Sequence, residues 1–219
     1  MFIITGLGRC GTSILTKYLK EVGFGIGNVV HWHDEARAGY ELSTFYSITD
    51  WLYHDYCKNG KPINIDDKYK NGYWDGLSYR EALNRVDNDE KQGKVDIVKD
   101  PRITWHPDLI EAIYEARPDI KLLICHREIY SIFYSRNVSL PERYNDPKPR
   151  KKIVEYQVDF AEFMTRVMKL KIPYHTFFFP NFLKDFEEFY FQLIECGLSH
   201  HVLKGREVFD RIIDKELIK

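Results

Sequence analysis

The chain has 219 residues, 44% of them hydrophobic and 15% aromatic, enough to bury a sizeable core within one domain. Its 32 basic and 33 acidic residues leave a formal net charge of −1, so no global positive field collects nucleic acid or an anionic membrane. Any anion must be held by local geometry. Cys10, Cys57, Cys125 and Cys196 are far apart and show no C-x-x-C spacing, which argues against a disulfide-stapled module and for a reducing, cytoplasmic setting.

In chain order, the first element is the apolar, β-prone run Phe2-Ile3-Ile4-Thr5. No basic segment or long apolar core accompanies it, so a signal peptide is not expected, and no later run approaches the ~18 apolar residues of a membrane span. A glycine turn follows, then a helix from Ser13 with Leu15 and Leu19 on one face. Residues 23–42 and 59–77 lack periodicity and read as binding loops or lids, and residues 139–150 carry Pro141, Pro147 and Pro149. Ser78 with Glu81 makes a capping box, and Pro107 sits near the start of a helix ending about Ala116. Further short apolar runs at 95–99, 120–126 and 174–179 read as buried parallel strands. Over 151–169, Val154, Val158, Ala161 and Met168 recur at helical spacing and read as the core face of a helix. Asn181 is placed to cap a helix ending near Gly197. Strands alternating with helices predict an α/β layered fold.

The turn, "GLGRCGTS", fits two nucleotide-binding patterns. Gly6, Gly8 and Gly11 spell the G-x-G-x-x-G of a dinucleotide turn, whereas Gly6, Gly11 and Ser13 spell a P-loop with Thr12 where lysine is expected. On either pattern, the glycines let an anion approach the backbone and the helix start offers N–H donors with a partial positive charge. Without the lysine that reaches the β and γ phosphates, ordinary ATP or GTP hydrolysis is disfavoured. A dinucleotide site wants an acidic residue after a second strand; Asp34 and Glu35 are in range but follow a poor strand. Glycines that merely make a tight strand-to-helix turn are the plain third reading.

Two further segments bring chemistry to the same place. "KDPR" puts Lys99 at a strand end, and "HREIYSIFYS" puts Arg127 at another, with Ser135 eight residues on in a helix. Ligands of open parallel sheets bind at the carboxyl ends of strands, so Arg9, Lys99 and Arg127 are predicted to meet at one edge.

Together the glycine turn, "KDPR" and the Arg127 to Ser135 pair resemble the sulfotransferase superfamily, whose donor is 3′-phosphoadenosine 5′-phosphosulfate (PAPS); soluble bacterial or viral members are the natural comparison. The resemblance spans roughly the first 140 residues. It implies a three-layer P-loop NTPase-like fold with a central parallel sheet of about four to five strands flanked by helices, as a single domain. It also implies that Gly8, Arg9, Cys10, Gly11, Thr12 and Ser13 wrap the 5′-phosphosulfate, while Arg127 and Ser135 hold the 3′-phosphate. Thr12 is then the ordinary residue of this P-loop variant, and Cys10 replaces a usual serine. A sulfuryl group carries less charge than a phosphoryl group, so fixed cations such as Arg9 and Lys99 can take the place of magnesium, and no metal is expected.

The acceptor proton needs a base. "GYE" resembles, one residue short, a segment that leads into the second helix of several bacterial members, which makes Glu41 the first candidate. His31, His33 and Asp34 lie in the same loop, and His33 is carried forward with Glu41 because imidazole has a suitable pKa. Trp32, Trp51, Trp74 and Trp105, with Tyr40 and Tyr73, could stack on a carbohydrate or small-molecule acceptor. Lys204-Gly205-Arg206 resembles a basic-glycine segment that some members close over the 3′-phosphate, and a charged helix start accounts for it equally. Alternatives are a catalytically silent nucleotide-binding protein of the same fold, an atypical P-loop small-molecule kinase using Arg9, and a nicotinamide-linked oxidoreductase.

Overall fold

The computed structural model of the chain describes residues 1–27, 29–30, 41–42, 95–105, 107–139 and 149–212. Six strands form one sheet in the order β2-β3-β4-β1-β5-β6. They are β1 (Phe2–Thr5), β2 (Val29–Val30), β3 (Glu41–Leu42), β4 (Ile97–Lys99), β5 (Lys121–His126) and β6 (Tyr174–Phe178). The run β4-β1-β5-β6 is all parallel, in the register Ile3↔Val98, Ile3↔Leu122 and Leu123↔His175. β3 adds to β4 in parallel, and β2 pairs antiparallel with β3. The helices are α1 (Thr12–Val22), α2 (Pro107–Ala116), α3 (Ile129–Ser139), α4 (Pro149–Lys169), α5 (Phe186–Glu195) and α6 (Val202–Ile212). Two 3₁₀ turns, Pro101–Trp105 and Asn181–Leu183, follow β4 and β6.

The central strands β4, β1 and β5 are apolar on both faces because both faces are covered. Ile4, Leu123, Cys125 and Phe177 point into a core shared with Leu15, Tyr18 and Leu19 of α1, Phe189 of α5 and Phe209 of α6. Ile3, Val98, Leu122 and Ile124 point the other way, onto Ile110 and Ile113 of α2 and Phe163 and Val167 of α4. Leu15 and Leu19 are fully buried, each contributing about 1.5–3 kcal/mol of apolar burial, which anchors α1 over the sheet centre. With β4 and β5 on opposite sides of β1, the chain reverses direction across the sheet there, the place at which ligands of open parallel sheets ordinarily bind. Among the described residues no helix is long and apolar enough to cross a membrane.

Two details differ from the sequence reading. Asn181 belongs to a 3₁₀ turn; the cap of α5 is Asp185, whose carboxylate accepts from the Glu188 N–H at 3.0 Å. On α4 the apolar residues at Val154, Val158 and Met168 are 55%, 49% and 57% exposed, and the core face is Ile153, Tyr156, Phe163 and Val167. The larger rings and branched chains of that second stripe take the interior because they bury more area. The capping box at Ser78 and Glu81 lies outside the described residues.

Candidate active site

The segment between β1 and α1 is forced into its path by neighbours. A Cβ on Gly6 (φ 152°) would stand 2.3 Å from the Cys125 carbonyl oxygen and 2.6 Å from Cys10 Sγ, so only glycine lets the turn lie against β5. Gly8 and Gly11 take positive φ at 75° and 90°, and so does Arg9 at 55°, a conformation that costs a side-chain-bearing residue about 1–2 kcal/mol. Arg9 is held there from both ends. Its carbonyl accepts from Arg127 Nη1 at 3.2 Å, and its Nε donates to Ser135 Oγ at 3.3 Å. Local strain fixed by tertiary bonds is what a preorganised ligand cradle looks like.

The opposite flank is built from β4. Lys99, only 3% exposed, donates from Nζ to Ser13 Oγ at 2.9 Å, placing an ammonium at the first turn of α1. The Thr5 hydroxyl donates to the Asp100 carbonyl at 2.9 Å. The Thr104 hydroxyl lies 3.1 Å from the Gly6 carbonyl and 2.9 Å from that of Pro101, tying the 3₁₀ turn to the glycine turn. At the helix start itself, Gly11 supplies no side-chain cap and the first turn carries no acidic residue. Its N–H donors lie beside the Lys99 ammonium, with Arg9 and Arg127 on the other flank of the turn, an anion-attracting arrangement on a chain of almost no net charge.

Burial draws the Arg127 guanidinium down from its ordinary value, with Cys10 and Glu128 acting the other way; an arginine stays charged regardless. Burial pushes the Cys125 thiol well up, Cys10 reinforces that, and Lys99 opposes it.

The structure thus brings together Gly8, Arg9, Gly11, Thr12, Ser13, Lys99, Arg127 and Ser135. Cys10 sits in the turn with its side chain fully buried in the core beneath. That accounts for the residue: a thiol behaves as a small hydrophobe and fits an apolar position poorly suited to a serine hydroxyl. Glu41 lies in a two-residue strand, not at a helix start, and its Cα is paired in register with Lys99 at the rim of the site. His33, with His31 and Asp34, lies outside the described residues, as do Trp32, Trp51, Trp74, Tyr40 and Tyr73.

Two contributors escape the sequence reading. Phe179, just after β6, holds its ring 5.0 Å from the Arg127 guanidinium and against Gly11, where a Cβ would meet it at 2.5 Å. Thr104 is the other, and neither carries a motif that would reveal it. Lys204-Gly205-Arg206 is elsewhere. Gly205 packs under the Tyr18–His200 hydrogen bond of 2.7 Å, Lys204 approaches Gly23 at the far end of α1, and Arg206 stacks on Phe186 and pairs with Glu187. Among the described residues no three His, Cys, Asp or Glu side chains converge as metal ligands would.

No protein-family model matches the chain, and no curated protein aligns with it at a significant level.

Proposed function

We propose that this protein transfers a sulfuryl group from PAPS to a hydroxyl of a carbohydrate or small-molecule acceptor. The observation that carries the proposal is the pair of polar clusters on opposite flanks of one glycine turn: Lys99 with Ser13 on one side, and Arg9, Ser135 and Arg127 on the other. A donor with anionic groups at both its 5′ and 3′ positions suits two such clusters, whereas a simple nucleoside diphosphate engages one. A glycine turn between the first strand of a parallel sheet and the helix that follows it, together with the sequence resemblance, supports the same reading.

In the proposed reaction the acceptor oxygen bonds to sulfur as the bond from sulfur to the 5′-phosphate oxygen breaks, releasing 3′-phosphoadenosine 5′-phosphate. The turn amides, Thr12 and Ser13 orient the 5′ end, and Lys99 and Arg9 stabilise charge on the sulfuryl oxygens and the leaving phosphate. Arg127 and Ser135 bind the 3′-phosphate by charge-assisted hydrogen bonds. Glu41 takes the acceptor proton, consistent with its backbone position beside Lys99, and His33 is the competing base. A kinase that uses Arg9 in place of the P-loop lysine is less well supported, because the Arg9 guanidinium is drawn to Ser135 on α3.

The test is release of 3′-phosphoadenosine 5′-phosphate from PAPS across a panel of sugar and phenolic acceptors. Acceptor-dependent release supports the enzyme. Tight binding of the bisphosphate without release against any acceptor identifies the silent binder, and absence of binding removes both.

A further inference from the structure

Strand β6 ends the described sheet, pairing with β5 on one side only. The parallel register fixes which of its backbone groups are already used. The Leu122 N–H donates to the Pro173 carbonyl at 2.9 Å and the Phe179 N–H to the His126 carbonyl at 2.7 Å, so Pro173, His175, Phe177 and Phe179 turn their polar groups toward β5. Tyr174, Thr176 and Phe178 each turn an N–H and a C=O the other way, and among the described residues nothing bonds to them. Tyr174 and Phe178 are also 46% and 54% exposed, on the same face of the strand. Natural edges are commonly blunted by lysine, other charges or a bulge. From Pro173 to Pro180 this one carries no lysine, arginine or carboxylate, and the two prolines only set its length.

Main-chain groups left open in this way call for another strand, and their arrangement is self-complementary. In an antiparallel pair, opposite residues whose polar groups face the partner exchange two hydrogen bonds. A two-fold axis at Thr176 sets Tyr174 of each copy opposite Phe178 of the other and Thr176 opposite itself, which uses every outward N–H and C=O of both strands. Sliding the pair by two residues leaves Tyr174 or Phe178 of each copy beyond the end of its partner's strand. The same axis brings the exposed Tyr174 and Phe178 rings together as cross-strand aromatic pairs, which stabilise antiparallel sheets. The nearest flanking charge, Lys171, falls level with Asn181, so no like charges meet.

We infer that the free edge of β6 is a two-fold interface with a second copy of this chain, the two strands pairing antiparallel about Thr176 so that the sheets join. One short strand pair buries less than the ~1,200 Å² of standard stable interfaces, so the dimer is weak and forms with rising concentration in the micromolar range. The inference is independent of what the donor site binds.

Sedimentation equilibrium from about 1 µM to about 500 µM tests it directly. The wild type is expected to shift from monomer to dimer. Thr176→Pro removes an outward N–H and no hydrogen bond within the sheet, a change that edge strands tolerate, and is expected to stay monomeric with an unchanged circular dichroism spectrum. Charge then fixes the register. Thr176→Lys and Thr176→Glu are each expected to be monomeric, because like charges stand directly opposite, and their equimolar mixture to recover a one-to-one dimer. Thr176→Cys should form a disulfide-linked dimer on mild oxidation, its Cα atoms lying about 5.5 Å apart across the axis. Tyr174→Cys should not, since its two copies stand four residues out of step, about 13 Å. A wild type that stays monomeric throughout, a dimer indifferent to Thr176→Pro, charged variants that fail to pair when mixed, or self-linking of Tyr174→Cys as strong as that of Thr176→Cys each overturns the proposal.

Discussion

Gly6→Ala isolates the contact on which the whole turn is built. The added methyl meets two atoms: the Cys125 carbonyl oxygen at 2.3 Å and Cys10 Sγ at 2.6 Å. The oxygen belongs to β5, which is paired on both sides by β1 and β6 and cannot recede, so the turn itself must lift. Overpacking of this kind costs about 1–3 kcal/mol. The φ of 152°, sparsely populated by residues with a Cβ, adds strain of about 1–3 kcal/mol. A loss near 4 kcal/mol lowers the melting temperature of a chain this size by roughly 8–15 °C. Scanning calorimetry reads that shift, with urea unfolding as the check on two-state behaviour. Adding Cys10→Ala removes the sulfur contact and leaves the carbonyl one, so the double variant is expected to regain less than half of the loss. A Gly6→Ala protein within about 0.5 kcal/mol of wild type would refute the claim that the turn lies against β5.

Other expectations concern the ligand and the pH response. Arg127→Met removes a cation and the bond to the Arg9 carbonyl; losing charge-assisted hydrogen bonds worth about 1.5–3 kcal/mol should weaken 3′-phosphoadenosine 5′-phosphate binding roughly 10- to 150-fold by calorimetry, with ADP binding changed far less. Glu41→Gln should lower turnover by about 10²–10⁴ while donor affinity is kept, and an unchanged rate assigns the proton to another group such as His33. Burial lowers the pKa of both His126 and His200 below the ordinary 6.5; for His200 its bond to the Leu198 carbonyl opposes the shift and Lys204 adds to it. The unfolded chain then takes up protons more readily than the folded one, so stability is full above about pH 6.5 and declines as the pH falls below it. Urea midpoints measured from about pH 7.5 to about pH 5.5 should fall, and His200→Gln should flatten the slope.

Strands β1, β4 and β5 were legible because each is a short run apolar on both faces, a pattern that survives without tertiary context, and β6 because its Phe177-Phe178-Phe179 run is β-prone. β2 and β3 were not, since two residues carry no periodicity. On α4 the choice between stripes could not be made by spacing, which is the same for both; side-chain size decided it, with Tyr156 and Phe163 inside and Val154 and Ala161 outside. Asn181 and Asp185 are equally good caps four residues apart, and Glu188 three positions after Asp185 was the overlooked signal. At the site, the strand-end rule predicted the meeting of Arg9, Lys99 and Arg127. It could say nothing of which way the side chain of Cys10 turns, or that Phe179 shields Gly11, because both follow from how β5 and β6 pack under the turn.

The central claim is that one turn serves two anionic groups of a single ligand. Thermal unfolding with 3′-phosphoadenosine 5′-phosphate and with ADP at equal concentration tests it most directly. At 100 times its dissociation constant the bisphosphate should add about 2.7 kcal/mol, or roughly 5–10 °C, and ADP much less because it offers nothing to Arg127 and Ser135. An equal shift with both nucleotides would contradict the assignment of the second cluster to the 3′-phosphate.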